Sequence, residues 1–194
     1  MNQKNNQRFQ ETDRRIREYF AAALAERDIG RITVNEICQG VGINRSSFYL
    51  HYQDVYALLD AVMEEIGREM FVDFDQAAAQ AENYFSDEYL IVILRHTKKH
   101  AALYRAYIAH VGMGEIEKGY QSLFEGLIKP YLRRLGIESE REMEYYFSFV
   151  QAGFFAVMGK WISYGCAETP EEMVRIIRRV MAPVPKGLPG MAGL

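Results

Sequence analysis

Apolar residues recur along most of the chain at the three- and four-residue spacing that marks one face of an α-helix. The stripe nearest the amino terminus consists of Ile16, Tyr19, Phe20, Ala23 and Leu24. No alternating pattern typical of a strand runs for more than a few residues, and no internal repeat is visible in the sequence. The sequence therefore predicts an all-α fold with about nine helices.

Capping residues divide the amino-terminal part into short helices. Thr33, followed three residues later by a glutamate, predicts a helix start, and Gly42 predicts the end of that helix. Asn44 predicts the cap of a third, short helix, and Asp54 that of a long fourth one. Two short helices joined by a glycine-containing turn, with another helix in front, are typical of a helix-turn-helix.

The rest of the chain also contains residues that mark the starts and ends of helices. Ser86, Ser139 and Thr169 are predicted caps, and a helix over residues 115–135 is expected to kink at Pro130. The predicted division is a helix-turn-helix domain at residues 1–54, a helical domain at residues 55–182 and a loose tail at residues 183–194.

Composition excludes several classes of protein. The 194 residues are 49% apolar and 25% charged, which is typical of a soluble globular protein. No apolar run approaches the length that crosses a bilayer, and no secretory signal opens the chain, so we expect a cytoplasmic protein with no membrane association. The two cysteines form neither a metal spacing nor a disulfide framework.

Enzymatic chemistry has no visible basis in the sequence. There is no nucleophile elbow, no phosphate-binding loop and no metal-ligand set, so we expect neither an enzyme nor a cofactor. His96 and His100 lie four residues apart, a spacing that can seat a metal. Because they lie in the polar run RHTKKH, we expect solvated side chains and no metal there.

The third predicted helix has the composition of a DNA recognition helix. Small hydrogen-bonding side chains allow close approach to the major groove, and an arginine can bind a guanine with two hydrogen bonds. Phe48 is expected to point inward, while Tyr49 and His51 are expected to donate to phosphates. The alternative is a capped surface helix of an ordinary all-α protein. The predicted DNA contacts are Thr33, Asn44, Arg45, Ser46, Ser47, Tyr49 and His51.

Residues from Arg14 to Ile66 resemble the AcrR-like DNA-binding domain of TetR family transcriptional regulators. The run RITVNEICQGVGINRSSFYLHYQDVYALLDAV carries the resemblance. Family members usually have lysines before the long fourth helix, where this chain has Gln53, Asp54 and Val55. A phosphate contact is therefore expected to be missing, and the net charge of −3 does not replace it. Basic residues of the amino-terminal arm, Lys4, Arg8, Arg14 and Arg15, are candidates for compensation.

The resemblance implies a carboxy-terminal domain for ligand binding and dimerisation. The run FFAVMGKWISYGCAETPEEMVRII resembles a carboxy-terminal subtype found in Firmicutes-type regulators. Small residues recurring on one helix face allow a partner helix to approach, although the same face could pack within one chain. The predicted dimer interface consists of Gly153, Ala156, Val157, Trp161, Met173 and Ile177.

Aromatic residues are dense between residues 84 and 164. Together with the resemblance, they suggest a pocket for a hydrophobic or aromatic effector, although such residues also build ordinary cores. The candidates for that pocket are Tyr104, Tyr107, Phe124, Tyr146 and Phe149.

The sequence as a whole favours a DNA-binding regulator of the TetR type. We expect a homodimeric repressor that a small effector releases from a near-palindromic operator. Two alternatives stay open: a transcriptional activator, because the same recognition helix serves both, and an all-α adaptor that binds a partner protein through a weakened DNA-binding domain.

Overall fold

The all-α prediction is confirmed. The computed structural model describes residues 3–78, 86–114, 125, 129–134 and 136–181, and no strand occurs among them. Nine α-helices have bounds within these residues, and a short 3₁₀-helix, Ile29–Arg31, follows the first. The helices are α1 (Gln3–Glu26), α2 (Val34–Val41), α3 (Arg45–Tyr49), α4 (Val55–Ala78), α5 (Asp87–Lys99), α6 (Ala101–Val111), α7 (Lys129–Arg134), α8 (Glu140–Ser163) and α9 (Pro170–Met181).

The chain divides into two compact units. One unit comprises Met1–Asp75 and Lys99–Ile116, and the other comprises Gln76–Lys98 and Glu117–Leu194. The first unit thus includes most of α4 and all of α6 in addition to the helix-turn-helix. The predicted boundary after residue 54 separates domains that would fold independently, which compactness alone does not test, so this boundary stays a prediction. None of the described helices has the length and apolar character needed to span a membrane.

Three predicted caps are present in the first unit. The Thr33 hydroxyl accepts a hydrogen bond from the Glu36 amide at 3.3 Å, and the Asn44 side chain accepts one from the Ser47 amide at 2.7 Å. Asp54 accepts from two backbone amides in the first turn of α4, at 2.9 and 2.8 Å. These bonds satisfy donors that have no partner within the helix, and they fix where each helix begins.

Two glycines set the geometry of the helix-turn-helix. Gly42 has a φ of +73°, the left-handed conformation that most side chains avoid, and it ends α2. Gly40 faces α1 so closely that an added Cβ would lie 2.0 Å from the Tyr19 ring. A side chain at either position would disturb the turn or the packing of α2 against α1.

The helices of the first unit pack around one apolar core. α1 packs on α2 and α6, and α2 packs on α3. The side chains at the centre are apolar and essentially without solvent exposure: Ile16, Phe20, Leu24, Ile37, Phe48, Leu58 and Leu59. Phe48 is therefore inside, as predicted, and its burial decides which face of α3 points to solvent.

The second unit is built around α8 and α9, which pack on each other. The turn between them is tied to α5, because the Lys98 ammonium donates to the carbonyl oxygens of Cys166 and Glu168 at 2.8 and 2.9 Å. At the start of α9, the Thr169 hydroxyl accepts from the Glu172 amide at 3.2 Å, and the Glu172 carboxylate accepts from the Thr169 amide at 2.8 Å. This reciprocal pair is a complete capping box.

Candidate functional site

Four exposed side chains form one face of α3 and its cap. Arg45 and Tyr49 are one helical turn apart, and Ser46 and Leu50 form a second, neighbouring pair with the same spacing. All four are exposed, with Tyr49 at 48% and Leu50 at 75% of full exposure. We call these residues the α3 face. Arg45, Ser46 and Tyr49 are among the predicted DNA contacts, whereas Leu50 is not.

Within the α3 face, the arginine is held in place by the tyrosine. The Arg45 guanidinium donates to the Tyr49 hydroxyl oxygen at 3.0 Å, and its carbon lies 5.8 Å from the centre of the Tyr49 ring. This hydrogen bond raises the pKa of Arg45, a side chain that is always charged, above its ordinary value. The pair presents guanidinium donors in a restricted orientation, which suits binding to a base edge.

The other predicted DNA contacts at the helix starts have structural tasks. Thr33 and Asn44 are exposed, but their side-chain oxygens cap α2 and α3. Ser47 is half-buried, and its amide is the donor in the Asn44 cap. A role for these three residues at DNA stays a prediction.

His51 is not placed as predicted. Its side chain is only 3% exposed, and its ring stacks on Phe9 of α1 with centroids 3.8 Å apart. Its Nδ1 atom lies 3.4 Å from a carboxylate oxygen of Asp13. His51 follows the end of α3, where the chain turns back toward α1, and its imidazole is covered by α1.

A polar network beneath α3 connects it to α1 and α4. Asp13 accepts hydrogen bonds from the Tyr52 hydroxyl and, at 2.7 Å, from the Arg17 guanidinium. Arg17 also pairs with Glu65 of α4 at 2.5 Å and donates to the Ala61 carbonyl at 3.3 Å. Burial, together with the bond to Asp13, raises the pKa of Tyr52 well above its ordinary range. The network fixes the end of the helix-turn-helix against both long helices.

The basic residues expected to compensate for the missing lysines are partly engaged within the protein. Arg14 pairs with Glu11 at 2.7 Å and with Glu18 at 2.6 Å on the exposed side of α1. Arg15 donates to the Val41 carbonyl at the end of α2. The side chain of Lys4 lies outside the described residues.

A second feature is an apolar groove on the surface of the second unit. It has a volume of about 610 Å³. Phe149 is 83% exposed and Tyr145 69% exposed, unusual values for large apolar side chains in a folded unit. We call it the α8 groove, and it is lined by Tyr145, Tyr146, Phe149, Val150, Gly153, Phe154, Val157, Ile177 and Val180.

The predicted dimer interface is only partly at the surface. Gly153 and Ala156 are exposed, and Val157 is half-buried. By contrast, Trp161, Met173 and Ile177 are 2%, 3% and 2% exposed within this single chain. These three side chains build the core between α8 and α9. Their apolar spacing could also have fitted a partner chain, but in this structure they pack within a single chain. Of the three, only Ile177 also contributes to the α8 groove.

The predicted effector pocket is divided between the units. Tyr104 is buried and Tyr107 half-buried on α6 of the first unit. Tyr146 and Phe149 lie in the α8 groove of the second unit and face outward, whereas Phe124 lies outside the described residues. Their role in binding an effector stays a prediction.

The two histidines expected to be solvated are largely covered. His96 is 4% exposed, and the His100 side chain is 15% exposed. Burial lowers the pKa of His100, and the positive charge of Lys99 lowers it further. Within the described part of the chain, no group of three or more His, Cys, Asp or Glu side chains is arranged to hold a metal.

The family is decided by the carboxy-terminal half. A family of TetR-type proteins described as "Transcriptional regulator C-terminal region" matches residues 85–183, a little over half of the chain. The chain belongs to the TetR family of transcriptional regulators. This confirms the resemblance to TetR family regulators that the amino-terminal sequence shows.

Individual relatives agree with this assignment. A 63-residue segment is 33% identical to the "Uncharacterized HTH-type transcriptional regulator YxbF" of Bacillus subtilis (strain 168). The match covers 30% of this chain and 17% of YxbF, so it spans less than a fifth of that relative.

Solved structures share the fold. The "Dihydroxyacetone kinase operon activator DhaS" aligns with a TM-score of 0.60 at 18% identity, over 87% of this chain and 93% of DhaS. The fatty acid degradation regulator FadR from Bacillus halodurans aligns with a TM-score of 0.68 at 14% identity, over the same shares of the two chains. At these identities the likeness establishes a shared all-α fold and nothing more specific.

Proposed function

We propose that the protein is a cytoplasmic, homodimeric repressor that binds a near-palindromic operator and leaves it when a small hydrophobic or aromatic effector binds. Its class as a TetR-type regulator follows from the family. The observation that carries the DNA-binding mode is the α3 face. Its side chains are exposed on the second helix of a helix-turn-helix whose other side is fully buried through Phe48.

The proposed dimer rests on the α8 groove. Phe149, Tyr145 and Tyr146 expose large apolar areas around a glycine, and a stable monomer rarely leaves such a patch uncovered. A second copy placed on the same surface by a twofold axis would cover both grooves at once. Pairing would also set the distance between two recognition helices, which an operator with two half-sites requires.

Release by an effector rests on the family of the carboxy-terminal region and on its aromatic content. In thermodynamic terms, an effector dissociates the complex only if it binds more tightly to a conformation in which the recognition helices no longer match the half-sites. The effector must therefore distinguish two arrangements of the same dimer.

The test begins with selection of duplex DNA from a randomised library by the full-length protein. The selected duplex is then used in gel-shift titrations with the wild type and with Arg45→Ala, while Arg68→Ala, an exposed arginine of α4 paired with Glu64, is the matched control. We expect an enriched palindrome, loss of discrimination in Arg45→Ala and wild-type behaviour in Arg68→Ala. Absence of any enriched sequence at moderate salt would refute the proposal.

A reporter assay separates repression from activation. The selected duplex is placed upstream of a reporter gene, and expression is compared with and without the protein. Reduced expression supports the repressor, whereas increased expression supports an activator, the class of regulator that DhaS is named as.

The adaptor alternative is favoured by two observations. Asp54 occupies the start of α4, where related proteins usually have a phosphate-binding lysine, and Arg14 is neutralised by two glutamates. An adaptor would bind DNA weakly and bind a protein partner with little dependence on salt. A regulator's affinity for its operator should instead fall steeply as salt rises.

A further inference from the structure

Leu50 is an unusual residue on the surface of a recognition helix. It is 75% exposed, more than any other large apolar side chain described in the first unit. Its amide donates to the Ser46 carbonyl at 3.2 Å, so Leu50 continues the last turn of α3. Its side chain therefore lies on the α3 face and not on the buried side.

The neighbours of Leu50 make this face chemically mixed. Arg45 and Ser46 offer hydrogen bonds near the start of the face, and Tyr49 orients the arginine. A leucine side chain makes no hydrogen bond, so an exposed leucine here contributes only if it is covered by an apolar group. Burying its side chain against such a group is favourable, and leaving it in water contributes nothing to binding.

Double-stranded DNA offers one apolar group in the major groove. Thymine carries a 5-methyl group there, whereas the edges of the other three bases present hydrogen-bonding atoms. We propose that Leu50 contacts the 5-methyl group of a thymine in each half-site and makes operator affinity depend on that methyl group. This inference rests on the DNA-binding mode proposed above and goes further by naming a chemical group in the operator.

The geometry also constrains where that thymine lies. Leu50 is five positions after Arg45, which corresponds to a rise of roughly 7.5 Å along the helix axis. Base pairs are stacked about 3.4 Å apart, so this distance corresponds to roughly two base-pair steps. The thymine should therefore lie within about two base pairs of the base pair that Arg45 contacts.

The experiment uses the duplex selected by the full-length protein. Each thymine is replaced in turn by deoxyuridine, which pairs identically but lacks the methyl group. Affinities are measured by fluorescence anisotropy for the wild type, for Leu50→Ala and for Val72→Ala. Val72 is an exposed apolar residue of α4, 56% exposed, and is the matched control. Arg45→Ala locates the arginine-dependent base pair in the same duplex.

For the wild type and for Val72→Ala, we expect one thymine per half-site whose replacement weakens binding about three- to tenfold. For Leu50→Ala, we expect the same replacement to have no effect, because the group that senses the methyl is gone. Since Leu50 is exposed, its replacement should leave the thermal midpoint of the free protein unchanged, which shows that the variant is folded.

Three other outcomes separate the inference from the function on which it rests. In the first, a duplex is selected, but deoxyuridine changes the affinity of the wild type and of Leu50→Ala equally, or changes neither. This result would overturn the role of Leu50 but not the proposed function as a DNA-binding regulator. Failure to select any duplex would overturn both. If Leu50→Ala instead abolished association with a protein partner, the exposed leucine would belong to a protein interface.

Discussion

Gly153 provides a test that separates the stability of one chain from the pairing of two. It lies exposed in the α8 groove, and an added Cβ would meet no atom of the described residues within 4 Å. A glycine inside a helix costs about 0.5–1 kcal/mol relative to alanine. Gly153→Ala should therefore raise the unfolding free energy of the monomer by about that amount.

A large charged side chain at the same position should act in the opposite direction on the dimer. In the proposed twofold interface each chain contributes one Gly153, so Gly153→Arg would be introduced twice. Overpacking costs about 1–3 kcal/mol for each copy, so the free energy of dimerisation would become less favourable by about 2–6 kcal/mol. The dissociation constant should rise by a factor of about 30 to 10⁴.

The assay is sedimentation velocity over a dilution series, together with urea unfolding at a concentration where the protein is monomeric. Ser148→Arg is the control, because Ser148 is exposed on α8 but is not part of the α8 groove. A Gly153→Arg protein that is folded and still dimerises with the wild-type dissociation constant would refute the proposed interface. A lower monomer stability in Gly153→Ala would refute the inference that the position is open.

Further predictions concern single side chains. Arg45→Ala should reduce discrimination between the selected duplex and single-base variants by about 1–3 kcal/mol in competition titrations. Tyr49→Phe removes the hydroxyl that orients Arg45, so it should produce a smaller loss of the same discrimination. If the affinity for all sequences fell by the same factor, Tyr49 would instead contact a phosphate. Tyr52→Phe should lower the unfolding free energy by about 1–3 kcal/mol at neutral pH, as measured in urea. Burial, reinforced by the bond to Asp13, raises the pKa of Tyr52, so the tyrosine's contribution is complete below its ordinary pKa of 10.0 and is lost as the pH rises above it. The difference between Tyr52→Phe and the wild type should therefore shrink in alkaline solution, and a constant difference would contradict this assignment. Thr169→Ala should lower the free energy of unfolding by about 0.5–2 kcal/mol and with it the thermal midpoint. An unchanged midpoint would show that the capping box contributes little to stability.

Local signals in the sequence were enough to locate most helices. Caps such as Asn44 and Asp54 act within three residues of themselves, so their effect does not depend on the rest of the fold. The left-handed glycine at position 42 is likewise a local requirement of the turn. Because these signals are independent of tertiary contacts, the positions of α2, α3 and α4 could be predicted from the sequence.

The orientation of α3 was harder to predict. A helix of five residues is too short for apolar periodicity to define its buried face. That face is set by the packing of Phe48, after which Leu50 is exposed and His51 is directed to α1. Leu50 could have been found from its spacing of four residues from Ser46, but an apolar residue is usually assumed to be buried.

The surface of the second unit shows a different limit. Apolar residues at helical spacing look alike whether they are covered by the same chain or by a second copy. Trp161 and Met173 are covered by the chain itself, whereas Phe149 is not. Only the three-dimensional packing of α8 against α9 separates the two groups.

The brevity of α3 has a consequence for the genome that the protein must search. Four exposed side chains can specify only about four base pairs, and a given four-base-pair word occurs by chance roughly once in 250 positions. One recognition helix therefore carries too little information to select a unique promoter. Two such words at a fixed separation occur by chance at the square of that frequency. If the protein pairs as proposed, the number of promoters it can distinguish therefore depends on the pairing surface as much as on α3.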